Sequence, residues 1–278
     1  MQDISVLDKQ IDFNCTENYR LSIQISLNGF SFGIKEAETN EYWVLKHCQF
    51  DNKNPLDLLY NLELFILRNP LLTKYYKSTK IIVDAEKKTI IPKALFSKEH
   101  IRNTFELSHN IQDDESLYYN IDKLDSIIVF AIKNTLKRCL EKHIKNFELC
   151  SSLSPLVYYG LKKEEQLYSI IINHTSHDHF DIIICNKNKL LLLNTYKYLK
   201  DIDIVFYVLN TLQTLEIDNK ECNIIFSGEF EQESQAVIFL SKHIGKSEKL
   251  SILNPPDELQ KDNIDIYFAN LINSEQCE

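Results

Sequence analysis

Apolar and polar positions alternate along several short segments of this chain, and the alternation predicts its first elements. Residues 20–27 (RLSIQISL) read as a strand of period two. Asn28-Gly29 follows, the dipeptide of a tight hairpin turn, and residues 30–35 (FSFGIK) read as the returning strand. Residues 41–48 (EYWVLKHC) supply a third strand. Asn54-Pro55 then opens a helix with proline at its first position, and Leu58, Leu59, Leu62, Phe65 and Ile66 recur at helical spacing. Residues 79–84 (TKIIVD) form the fourth strand.

The same order returns about 145 residues later. Residues 167–173, 180–185 and 189–196 read as three strands, joined by turns at 174–179 and 186–188. Residues 201–215 read as a helix with Asp201 at its start, where a carboxylate opposes the dipole. Residues 222–227 (CNIIFS) are the fourth strand. A three-strand meander, a crossover helix and a parallel fourth strand make one α/β unit, so the pattern predicts two such units. Residues 1–150 are expected to form the first lobe and 151–278 the second, with the boundary near 150–165.

Between the copies, residues 125–132 read as a strand, 134–144 as an amphipathic helix and 146–152 as another strand. Ser154-Pro155 starts a helix expected to stop at Gly160. A helix near 233–244 and a strand at 249–253 follow the second unit, and IDIYFANLI near the end fits either type. Residues 86–124 carry the weakest pattern and are expected to hold short strands and turns. Of the adjacent pair Tyr118-Tyr119, one ring is expected to face water or a partner, since neighbours on a strand point to opposite faces.

Composition narrows the function classes. With 31 Lys and Arg against 40 Asp and Glu, the net charge is −9, and no basic stripe marks a nucleic-acid surface. No apolar run approaches the roughly 20 residues of a membrane span. The opening MQDISVLDKQ lacks the apolar core of a signal peptide, which predicts a cytoplasmic protein. The 7 cysteines are scattered, with no C-x-x-C pair, and are expected to be reduced. Only 5 of 278 residues are glycine, about 2% against a usual figure near 7%. Neither G-x-G-x-x-G nor a G-x-x-x-x-G-K-[ST] loop is present, so the glycine loops that cradle phosphates are missing.

Residues 134–161 (NTLKRCLEKHIKNFELCSSLSPLVYYGL), 168–192 and 222–239 (CNIIFSGEFEQESQAVIF) resemble the connecting segment, the second phosphate strand pair and the adenosine motif of actin-like ATPases of cell division and pilus assembly. The opening LSIQISLNGFSFGI resembles an uncharacterised bacterial domain family of that fold. The resemblance implies a duplicated actin-like, ribonuclease H-like architecture of two lobes, with mixed sheets flanked by helices. It also implies where a nucleotide site would lie. The first phosphate loop, an Asp followed by a glycine and a hydroxyl residue in active members, falls here at Ser26, Asn28 and Gly29, without the acid. The second, an Asp followed by glycines, falls at Asn173, His174, Thr175 and Ser176, with Asp181 on the next strand. The paired glycines of the adenosine motif are reduced to Gly228, followed by Glu229. In active members these acids hold a hydrated Mg²⁺ and position water; Ser26 and Asn173 carry no charge.

Three constellations remain. His174, His177 and His179 beside Asp178 and Asp181 offer metal-ligand chemistry, yet a polar hairpin tip explains the same residues, and no metal or cofactor is expected. Serine, histidine and aspartate occur without G-x-S-x-G, so no nucleophile elbow is present. Asp113-Asp114-Glu115 reads as a solvated loop. The expectation is therefore a scaffold or adapter for another protein, with no catalytic residue. The alternative is a divergent ATPase or phosphotransferase using Asp84, Asp178 and Asp181 in the inter-lobe cleft.

Overall fold

A computed structural model describes all residues except 1, 27–28, 51–54, 122–125, 164–165, 177, 188, 229, 231–233, 254–264 and 276–278. The chain divides into two compact units, 1–152 and 153–278.

The first unit is built on β1 (Gln2–Asp8), β2 (Tyr19–Ile25), β3 (Gly29–Glu36), β4 (Tyr42–Gln49), α1 (Pro55–Arg68) and β5 (Ser78–Val83). Then come β6 (Lys88–Pro92), α2 (Ile101–Glu106), β7 (Glu115–Ile121), β8 (Ser126–Lys133), α3 (Asn134–His143) and β9 (Phe147–Ser151). Six strands make one sheet in the order β1-β4-β3-β2-β5-β9, with β5 parallel to β2 and β9 parallel to β5. The apolar stripe of α1 explains why it sits on this sheet. Leu62, Phe65 and Ile66 are buried with Phe30, Phe32 and Ile81, joined by Leu136 and Leu140 of α3. Each such side chain stabilises the fold by about 1.5–3 kcal/mol through burial.

The weakly patterned stretch does hold short strands, β6 and β7, which join β8 in a second, three-stranded sheet of order β6-β8-β7, and it also holds the helix α2, which the pattern did not show. Its own small core gathers Ile91, Phe105, Ile127 and Val129, and the helix α2 supplies Phe105. Tyr118 and Tyr119 do point to opposite faces, and both are half-buried. Tyr118 packs on Phe130 toward the larger core, and Tyr119 on Phe96 toward the smaller. Glu115 belongs to β7 and pairs with Lys87 at 2.7 Å, so it is not part of a solvated loop.

The second unit contains α4 (Leu153–Lys162), β10 (Tyr168–Ser176), β11 (His179–Asn186), β12 (Lys189–Lys197), α5 (Asp201–Thr214), β13 (Cys222–Ser227), α6 (Gln235–His243), β14 (Lys246–Lys249) and α7 (Asp265–Ser274). Its sheet runs β12-β11-β10-β13-β14. Helices α5 and α6 cover one face through Ile204, Val208, Leu212, Ala236 and Leu240. Helix α4 lies on the other, against β10 and β11, with α7 packed on it. The fold is α/β, with mixed sheets flanked by helices.

Four boundaries differ from the sequence pattern. β1 pairs antiparallel with β4 although its alternation is weak, because an edge strand needs only one neighbour. Helix α4 continues past Gly160. A Cβ there would lie 3.1 Å from Cys185 Sγ and 3.3 Å from Ile171 Cδ1, so the glycine admits close helix-on-sheet packing and does not end the helix. The turn expected at 174–179 is shorter, since His174 pairs with Phe180 and Ser176 with His179 inside the hairpin. The last strand is the polar Lys246–Lys249, parallel to β13, where residues 249–253 were the expectation. The ambiguous IDIYFANLI segment enters the helix α7, which buries Phe268, Leu271 and Ile272.

Candidate functional site

The ends of the four main strands of the second unit bring a polar row together. Thr195 on β12 faces Asp181 on β11, Asp181 faces Asn173 on β10, and Asn173 faces Ser227 on β13. By strand parity the row shares the face of Ile171 and Ile183, the face that α4 covers lower down. Asp181 is fully buried. Its Oδ2 accepts from Asn173 Nδ2 at 3.0 Å, and its Oδ1 accepts from Thr195 Oγ1 at 2.7 Å. A buried carboxylate without such donors would cost several kcal/mol. Asn173 and Asp181 of the expected set are therefore adjacent and bonded to each other. The side chain of Thr175 lies outside the described residues, as do Glu229 and His177.

Gly228 follows Ser227 with φ +86, and a Cβ on it would lie 2.5 Å from the carbonyl oxygen of His174. Both facts demand glycine whatever the ligand. His174 turns to the opposite face, where its Nε2 is 2.6 Å from the Tyr198 hydroxyl and its ring 5.3 Å from that of Phe230. It joins an aromatic group in which Phe180 stacks on Tyr196 and Tyr196 lies 4.6 Å from Tyr207. His179 Nδ1 lies 2.7 Å from Asp178 Oδ1, and Lys197 Nζ is 3.4 Å from the other oxygen. The histidines thus serve different neighbours. Among the described residues, no group of three His, Cys, Asp or Glu is placed to hold a metal ion.

In the first unit, the positions expected for a phosphate loop close a hairpin. The Ser26 hydroxyl donates to the Gly29 carbonyl at 2.9 Å, and the Ser26 amide donates to the same oxygen at 3.1 Å. Asn28 lies outside the described residues. A Cβ on Gly29 would come within 2.7 Å of the Cys48 carbonyl and of the His47 ring, so this glycine too is required by packing. Next to it His47 Nδ1 and Ser31 Oγ are 2.8 Å apart, both buried.

A second polar group sits where β5 and β9 end. Asp84 Oδ1 accepts from Lys88 Nζ at 3.1 Å and from Ser152 Oγ at 2.9 Å. The Lys88 side chain is only 1% exposed. Sequence reasoning named Asp84 but missed Lys88 and Ser152. A lysine in a polar turn reads as a surface residue, and no spacing ties it to a serine more than sixty positions on. The ends of parallel strands are where α/β folds bind ligands, and here the acid is already engaged.

The described cysteines are free thiols. Burial pushes Cys185 up to about 12, and burial with the nearby Asp218 carboxylate does the same to Cys222, so neither is a ready nucleophile. Cys277 lies outside the described residues.

A meander with a parallel fourth and fifth strand in each unit defines this as a protein of the actin-like ATPase fold. It is similar over its length to a crystal structure from Bacteroides thetaiotaomicron VPI-5482, a protein with actin-like ATPase fold and unknown function. The TM-score is 0.80 and the identity 24%, over 97% of this chain and 100% of that one. It is also similar to a chain of a PilM–PilN type IV pilus biogenesis complex, with TM-score 0.65 and 10% identity over 93% of this chain and 98% of the other. The chain belongs to the DUF3822 family, described as proteins of unknown function, whose model matches residues 8–246. No curated protein matches it. No helix among the described residues is long and apolar enough to cross a membrane.

Proposed function

We propose that this chain is a non-catalytic actin-like scaffold or adapter, built from two copies of one α/β unit and working in the cytoplasm through a protein partner. The observation that carries the reading is Asp181. The carboxylate beside the expected second phosphate loop is buried and has both oxygens accepting from neighbouring side chains. A metal-bound phosphate would have to displace those bonds.

Three further facts support it. The loop positions Asn173, His174, Thr175 and Ser176 contain no glycine, so backbone amides lack the close approach that phosphate cradles use. Gly29 and Gly228 are explained by contacts with His47, Cys48 and His174. Ser26, at the first loop, offers no charge for a divalent ion. The common strand order of the two sheets favours the duplication. The likeness to a chain of a PilM–PilN complex favours a protein partner, as an analogy of fold.

Mg-ATP titration by calorimetry tests this reading. Each missing charged or hydrogen-bonded contact costs on the order of 1–3 kcal/mol, which places binding weaker than about 1 mM. A dissociation constant below about 100 µM, lost on Asp181→Ala, would instead establish a divergent ATPase or phosphotransferase.

A further inference from the structure

β9 is the last strand of the six-stranded sheet, and among the described residues its outer edge carries a partner at one end. Asn120 of β7 plugs that end. Its Nδ2 donates to the Leu149 carbonyl at 3.0 Å, and its Oδ1 accepts from the Ser151 amide at 2.7 Å. One side chain thus imitates a neighbouring strand for a single step. Because strand residues alternate, Phe147 and the Leu149 amide point the same way as the groups Asn120 satisfies. On that side they make no backbone hydrogen bond among the described residues, the ladder with β5 being formed by the groups that point the other way.

A groove of about 420 Å³ opens along this stretch. Its apolar lining comes from Tyr118, Ile144, Phe147 and Leu149, and its rim from Lys137, Lys145 and Glu141. Glu141 is paired with Lys137 at 3.7 Å, which leaves Lys145 with no ion-pair partner among the described residues. An exposed cation beside unpaired strand amides and an apolar floor, in a chain of net charge −9, is a specific combination. Backbone groups recognise an extended chain, the floor takes its alternate apolar side chains, and the cation takes a carboxylate. A second copy of this chain fits less well, since it would bring another Lys145 to the same rim.

We propose that the outer edge of β9 is a docking site for an extended segment of a partner protein, which adds a strand to the sheet and places an Asp or Glu against Lys145. The proposal rests on the scaffold reading for the kind of ligand it takes. The bland role of Lys145, a charge that keeps an edge strand from aggregating, would need no groove beside it.

Selection of a displayed library of random ten-residue peptides against the full chain tests it. The selected peptides should alternate apolar residues and carry an acid. Added as synthetic peptides, they should slow hydrogen exchange at the Phe147 and Leu149 amides. Lys145→Glu, at an exposed position that does not enter the core, should weaken them roughly tenfold or more, and N-methylation of the peptide backbone should abolish binding. A selection without binders, binders that protect other amides, or binding indifferent to Lys145→Glu would overturn the proposal. Mg-ATP titration of the same samples separates the two readings. Tight Mg-ATP binding with the β9 protection intact removes the scaffold reading and keeps the groove. Absent protection with no Mg-ATP binding removes only the groove.

Discussion

β5 in the first unit and β13 in the second hold the same place in their sheets, each parallel to the strand beside it that opens the meander. β5 leaves its sheet through Asp84, whose carboxylate is held by Lys88 and Ser152. β13 leaves through Gly228, which turns into positive φ directly under the His174 carbonyl. One exit is a buried charge network and the other a bare backbone crossing. The topology that makes the positions equivalent does not prescribe their chemistry. Side chains from outside the meander, helix and fourth strand do: Lys88 arrives from the start of β6, in a sheet with no counterpart among the described residues of the second unit, and Ser152 from just beyond β9.

The largest effect is expected at the charged exit. Asp84→Ala removes the carboxylate that the buried Lys88 ammonium and the Ser152 hydroxyl both meet, and breaking such a pair costs about 3–5 kcal/mol. The double change Asp84→Leu, Lys88→Met should recover most of that loss, because an apolar pair carries no desolvation penalty. Urea denaturation of the three proteins measures both. A single-variant loss under about 1 kcal/mol would mean that the two exits differ less than their geometry indicates.

At the glycine exit, Gly228→Ala should cost about 1–3 kcal/mol from the left-handed backbone alone, with further loss as the Cβ displaces the His174 strand. The comparison sharpens if hydrogen exchange quickens in β10 and β13 while the first unit keeps its protection. A neutral Gly228→Ala would remove the packing explanation and return this glycine to a ligand role.

The smallest effect concerns the three-stranded sheet. Burial raises the Glu115 carboxyl, but the Gln112 amide and Lys87 outweigh it and hold the group below its usual 4.5. A depressed carboxyl stabilises the fold above its unfolded value and loses that contribution as pH falls through the folded value. Glu115→Gln should therefore lower stability by under about 1 kcal/mol at pH 7 and make no difference near pH 2–3, as the pair is partly exposed. Equal stability of the two proteins at pH 7 would contradict this.

Much of the fold was legible along the chain because the strands are short alternations ended by Asn-Gly, Asn-Pro or charged turns. β2 to β5 and β10 to β13 fall where Leu21, Ile23, Phe30, Phe32, Ile170, Ile172, Ile182 and Ile184 place their apolar faces. The region 86–124 was not legible, since its strands bury a different face in a separate small core and α2 spans barely two turns. Gly160 misled for a local reason: a glycine at a helix end and a glycine pressed on a sheet look alike until the sheet is present.

The candidate site divides along the same line. From the residue sequence come the missing acids at Ser26 and Asn173, the shortage of glycine, and Asp181 one strand away, because these are identities and spacings. That Asp181 is bonded to Asn173 and Thr195, that His174 leaves the metal-like cluster for Tyr198 and Phe230, and that Asp84 meets Lys88 and Ser152 came only from the tertiary structure. Each is set by strand register or by the meeting of distant segments, and a polar side chain takes its role from the partner that folding brings within about 3 Å.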